Sequence, residues 1–152
     1  MKFVIASDHA AVELKSRITA WLIENGHRVT DLGVEEGGKA DYPDKGEEAA
    51  LRFLEGGFDY GVVCCGTGIG ISIAVNKVKG LRCALPQDCY AARMAKEHND
   101  CQFIAFGARI HYTDGITDIL GAFLDARFEQ ESRHAARVEK IMAIESKDFP
   151  GC

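Results

Sequence analysis

Residues 62–74 read VVCCGTGIGISIA: an apolar run, two adjacent cysteines and three glycines at alternate positions. Successive side chains of a strand face opposite sides, so Cys64 and Cys65 meet different surroundings, and Cys65 is the one adjoining the glycine loop. That loop opens a predicted helix. The helix's first N–H groups and its dipole would hold an anion and favour a thiolate, which suits Cys65 to proton abstraction or nucleophilic attack. Thr67 adds a hydroxyl to the same loop. G-x-G-x-G on the third predicted strand is not the G-x-G-x-x-G of a dinucleotide site, and no Lys-Ser or Lys-Thr follows at the P-loop distance. Six residues past the cysteines stand Gly70 and Ile71, where a cysteine phosphatase needs an arginine. Taken alone, the loop also fits glycines that only permit a tight turn and close helix–strand packing.

Four other places carry polar groups that chemistry could use. Asp8-His9 follows the first predicted strand, either as a helix N-cap beside a solvated histidine or as part of a site. His98-Asn99-Asp100 lies between a predicted helix and the fifth strand, and Asn99 there could simply cap the helix. Arg133 and Arg137 stand four apart on one helix face, where they either meet solvent or grip a phosphate with forked hydrogen bonds. Arg109, just past the fifth strand, is placed to join such a grip. Asp41 and Tyr42 read as turn or packing residues.

The elements that must position these residues alternate along the chain. Strands are predicted at 2–6, 29–32, 60–65, 81–85 and 102–106. Helices are predicted from Leu14 to a C-cap at Asn25-Gly26, then at 44–54, 70–78, 88–98, 114–126 and 132–145. Five near-continuous apolar strands alternating with helices predict a parallel sheet covered on both faces, a Rossmann-like three-layer α/β/α sandwich. Right-handed crossovers bring the loops that begin at Ser7, Gly33, Cys65, Pro86 and Gly107 to the carboxyl edge of that sheet, where ligands bind in open α/β folds.

With 152 residues, 47% of them hydrophobic and 27% charged, the chain is expected to fold as one domain over 1–152. A formal charge of −5 gives no general pull toward nucleic acid or anionic lipid, so an anion site must be built locally and a small ligand is expected. The apolar stretch at residues 3–6 is too short for a signal peptide and nothing later could span a bilayer, so the cytoplasm is the expected location. The six cysteines, Cys64, Cys65, Cys83, Cys89, Cys101 and Cys152, show neither C-x-x-C nor a zinc spacing, and most are expected to be reduced and buried.

Ser7-Asp8-His9, Asp41-Tyr42-Pro43, the run from Cys65 to Ala74, Asn76-Lys77, His98-Asn99-Asp100, Gly107-Ala108-Arg109 and Arg133-His134 with Arg137 occur together, over nearly the whole length. In that order and spacing the chain resembles the ribose-5-phosphate isomerase B family, which also contains allose-6-phosphate and galactose-6-phosphate isomerases. The resemblance implies interconversion of an aldose phosphate and a ketose phosphate through an enediolate, without metal or nucleotide cofactor. It implies Cys65 as the base, because the carboxylate that another subgroup uses falls at Ile71. Gly66, Gly68, Ile69 and Gly70, with Thr67 and Asn99, would stabilise the enediolate, and His98 would open the furanose ring. Asp8 would bind sugar hydroxyls, and His9, Arg109, Arg133 and Arg137 the phosphate. It also implies a homodimer with shared active sites, or a dimer of dimers. Gln130-Glu131-Ser132, where many relatives have glycines, and the tail at 149–152 depart from the family pattern.

Overall fold

The computed structural model describes residues 1–130 and 133–147. Five strands, β1 (Lys2–Ser7), β2 (Arg28–Asp31), β3 (Tyr60–Cys65), β4 (Cys83–Ala84) and β5 (Phe103–Gly107), form one sheet in the order β2-β1-β3-β5-β4. Every neighbouring pair is parallel. The helices are α1 (Val12–Glu24), α2 (Tyr42–Leu54), α3 (Ile69–Asn76), α4 (Cys89–Asn99), α5 (Ile116–Asp125) and α6 (Arg133–Ile144). The expected Rossmann-like sandwich is therefore found. The last helix was expected over 132–145. Its first residue, together with Glu131 and the tail at 149–152, lies outside the described residues.

Strand alternation divides the interior in two. Phe3, Ile5, Val62, Cys64, Ile104 and Phe106 pack against α1, α4 and α5, whereas Val4, Ala6, Val63, Cys65, Phe103 and Ala105 pack against α2 and α3. These strands are buried on both faces, as their unbroken apolar runs require. Cys64, Cys65, Cys83, Cys89 and Cys101 are all free thiols, and four of the five are buried.

Two elements depart from the sequence reading. α2 starts at Tyr42, two residues early, because Pro43 sits in its first turn, where a missing N–H costs nothing. β4 is a two-residue ladder rather than the five residues expected. The Asn76 side chain meets both backbone polar groups of Cys83, donating to its carbonyl and accepting from its N–H, each at 2.9 Å. Gln102 Oε1 takes the N–H of Arg82. Side chains thus satisfy backbone groups that a longer edge strand would pair.

β1 leads away to β2 on one side, and β3 enters on the other, so the carboxyl ends of β1 and β3 flank a topological switch point. α6 packs against α4 and has no buried residue.

Candidate active site

The switch point carries a cleft of about 480 Å³, and its floor is the end of β3. Asp8, His9, Tyr42, Cys65, Thr67 and Arg109 line it, with Gly66, Ile69 and Gly70 of the glycine loop. Asp8 does not cap α1, whose N-cap is Ala11 with no side-chain bond. Asp8 is 6% exposed, and its carboxylate instead accepts the Ala10 N–H at 2.9 Å in a tight turn that holds the acid at the cleft wall. His9 Nδ1 donates to the Ala40 carbonyl at 3.0 Å, tying its ring to the long second loop.

The glycine loop is built around the sulfur of Cys65. Gly68 sits at φ +75° as the N-cap of α3, and a Cβ there would come within 2.5 Å of Leu85 Cδ1 and 2.9 Å of the Phe106 carbonyl carbon. That left-handed turn aims the Gly68 N–H at Cys65 Sγ, 3.1 Å away. Ala108 and Arg109 donate their N–H groups to the carbonyls of Cys65 and Gly66, each at 2.9 Å, and so lock the β5 loop onto the β3 loop. The two thiols differ as strand alternation requires. Burial, foremost, and then the neighbouring Cys65 and Asp8 push the Cys64 thiol far above the usual range, so it stays an inert core group. Cys65 is 4% exposed and lines the cleft. Ile71 is fully buried.

Tyr42 is the cleft residue that sequence reasoning left as packing. Its ring lies on Gly70, where a Cβ would sit 2.4 Å from Tyr42 Cε2. Gly70 has no positive φ to excuse it. A third glycine with no turn to make was the available sign of a ring packed against the loop.

His98, Asn99, Arg133 and Arg137 are not in this cleft. Helices of a parallel sheet run back against the strands, so α4 begins at the carboxyl edge and ends at the amino edge. Lys96 Nζ lies 5.1 Å from the ring of Tyr60, the first residue of β3. From there to Cys65 is five strand steps, about 16 Å. The α4 C-cap is Asp100 in the left-handed region, not Asn99, whose carbonyl accepts from Arg82 Nε at 2.7 Å. His98 lines a separate cleft of about 450 Å³ with Glu97, Asp125, Arg127, Glu129 and His134. Its ring stacks on that of His134, with centroids 3.9 Å apart and planes 3° from parallel. Arg133 and Arg137 are exposed on α6 beside it.

Each chain therefore carries two clefts at opposite edges of its sheet. One offers a thiol among backbone N–H groups, an acid and an arginine; the other offers a histidine pair and two arginines. Among the described residues, no group of three His, Cys, Asp or Glu side chains is placed to hold a metal ion, and no helix is long and apolar enough to cross a membrane.

Fold and site define an α/β protein with a thiol, an acid and an arginine gathered round a glycine loop at a topological switch point. Residues 3–141 match the family model described as Ribose/Galactose Isomerase. The chain is 39% identical to ribose-5-phosphate isomerase B of Escherichia coli over 96% of this chain and 97% of that one. It is equally identical, over 97% of each chain, to the D-erythrulose-4-phosphate isomerase of Pectobacterium atrosepticum. Among solved structures, ribose-5-phosphate isomerase B of Clostridium thermocellum superposes with a TM-score of 0.91 at 45% identity, covering 96% of this chain and 98% of that one. The chain belongs to the ribose/galactose isomerase family, and it is an aldose–ketose isomerase of sugar phosphates. A nearly buried Cys65 far from His98 in the same chain would otherwise suit a non-catalytic binding domain; family membership overturns that alternative.

Proposed function

We propose that the protein interconverts ribose 5-phosphate and ribulose 5-phosphate, with Cys65 as the base. The Gly68 N–H donated to Cys65 Sγ at 3.1 Å carries this reading, because it fixes the sulfur at the carboxyl end of β3, in a residue that lines the cleft together with the acid and the arginine. Cys65 takes the proton from C2 of the open-chain aldose and returns it to C1, while the hydroxyl proton of O2 passes to O1, leaving the ketose. Between the two steps an enediolate carries negative charge. The Gly68 amide is committed to the sulfur, so the stabilising donors are the other loop amides, the first-turn amides of α3 and the Thr67 hydroxyl, joined by Asn99 of a second copy of the chain. Asp8 takes sugar hydroxyls, and His9 and Arg109 contribute to holding the phosphate.

His98 opens the furanose ring, giving a proton to the ring oxygen as its bond to C1 breaks and receiving the one that the C1 hydroxyl loses as the C1=O bond forms, and Arg133 and Arg137 complete the phosphate grip. For these groups to meet Cys65, a second copy of the chain must lay its amino-edge half-site over the first copy's cleft. Exposed Ile69 and Ile73 beside the cleft, and an α6 with no buried residue, supply apolar surface for such a partner to cover. The assembly is a homodimer with two shared sites.

The E. coli and C. thermocellum relatives named for ribose 5-phosphate support a five-carbon substrate. The equal identity to an isomerase named for a four-carbon sugar makes chain length the point to test. Values of kcat/KM for ribose 5-phosphate, erythrulose 4-phosphate, allose 6-phosphate and galactose 6-phosphate compare transition-state binding directly. Ribose 5-phosphate is expected to lead. A larger value for any of the others replaces the proposed substrate.

A further inference from the structure

The second half-site contains a contact that the proposed reaction leaves unused. His98 and His134 lie face to face, 3.9 Å between centroids and 3° from parallel. Arg133 Nε approaches His134 Nε2 at 3.4 Å; a guanidinium only donates, so Nε2 must present its lone pair and the His134 ring must be neutral there. On α6, His134 also stands three residues before Arg137, on the same face.

We propose that His134 is a positioning residue for ring opening: its neutral face fixes the His98 imidazole while its edge tethers Arg133 of the phosphate grip. The inference rests on the assignment of His98 to ring opening. Stacking removes the free rotation that His98 would have at a helix end, and a neutral ring tolerates a proton on His98 where a second imidazolium would repel it. His134 is held below the ordinary histidine range by burial first, and then by the nearby charges of His98, Arg133 and Arg137, with Glu129 opposing. Glu97 of α4, Asp125 at the end of α5 and Arg127 also face this cleft. The chain thus links the sugar-opening group to the phosphate-holding group through one imidazole.

The test compares full-length His134→Asn and His134→Phe with the native enzyme, using ribose 5-phosphate, which is mostly furanose, and ribulose 5-phosphate, which is open-chain. His134→Asn is expected to lower kcat on ribose 5-phosphate by about tenfold, while kcat on ribulose 5-phosphate stays within about twofold. His134→Phe, which keeps a flat ring but loses Nε2, is expected to recover most of that kcat and to keep a raised KM, because Arg133 is no longer tethered. Equal losses on both substrates in both variants, or native behaviour of both, overturn the inference. His98→Asn run alongside separates the two levels. If it loses furanose activity while His134→Asn does not, the positioning role alone fails; if it is itself indifferent to ring form, the ring-opening assignment fails and the inference falls with it.

Discussion

Two sulfurs one residue apart have opposite fates because a strand turns its side chains alternately. Cys64 lies fully buried among Phe106, Ile104 and the helices of one face, and Cys65 reaches the cleft on the other. Cys65→Ser is expected to cut kcat between about a hundredfold and ten-thousandfold, the range for loss of a positioned base, with little change in melting temperature. Cys64→Ser should leave kcat within about twofold and lower stability by about 1–2 kcal/mol, because it buries a hydroxyl in an apolar site. Paired kinetics and denaturation of the two variants check this; full activity in Cys65→Ser would remove the thiol from the mechanism. The adjoining glycines are not interchangeable. Gly68 supplies the positive φ that aims an N–H at the sulfur, whereas Gly70 makes room for the Tyr42 ring.

The elements hold the cleft through contacts beside it at the carboxyl edge. Lys15 of α1, with a side chain only 6% exposed, pairs with Asp31 at the end of β2 at 2.7 Å. The other oxygen of Asp31 accepts the Gly33 N–H at 2.8 Å and so sets the start of the loop whose Ala40 carbonyl holds His9. The pair is asymmetric, because Asp31 is 37% exposed and can turn to water while Lys15 cannot. Asp31→Asn is therefore expected to cost about 3 kcal/mol by leaving a buried ammonium unpaired, and Lys15→Met, close in volume, about 1 kcal/mol. Urea midpoints for the two variants measure the difference, and the reverse ranking would refute the asymmetry. At this scale most of the fold was legible in the sequence: the apolar runs of β1, β3 and β5 and the glycines after β3 announce a parallel sheet with a loop at its carboxyl edge. The shortness of β4 was not, because Asn76 and Gln102 act on it from outside any periodic pattern. Tyr42 reads only as a turn or packing residue because its place over Gly70 depends on how α2 docks on α3. The end of α4 at the amino edge follows from the direction of every crossover helix, and that direction alone separates His98 from Cys65.

The two half-sites make a quantitative demand on the whole molecule. If one site takes Cys65 from one copy and His98 from the other, a dimer of one Cys65→Ser chain and one His98→Asn chain has one site with both defects and one with neither. Random reassortment of equal amounts makes about half of all dimers mixed, each with one intact site of two, so about a quarter of native activity on ribose 5-phosphate should return. Sites formed within single chains would give no recovery, since every chain in the mixture carries one lesion. The experiment needs subunit exchange, achieved by mild unfolding and refolding of the mixture, with each variant treated alone as its control. Recovery near a quarter requires that the carboxyl edge of one sheet face the amino edge of another. That arrangement follows from strand direction: a parallel α/β sheet puts a helix-end histidine and a strand-end thiol of one chain at opposite edges, so joining them takes two chains.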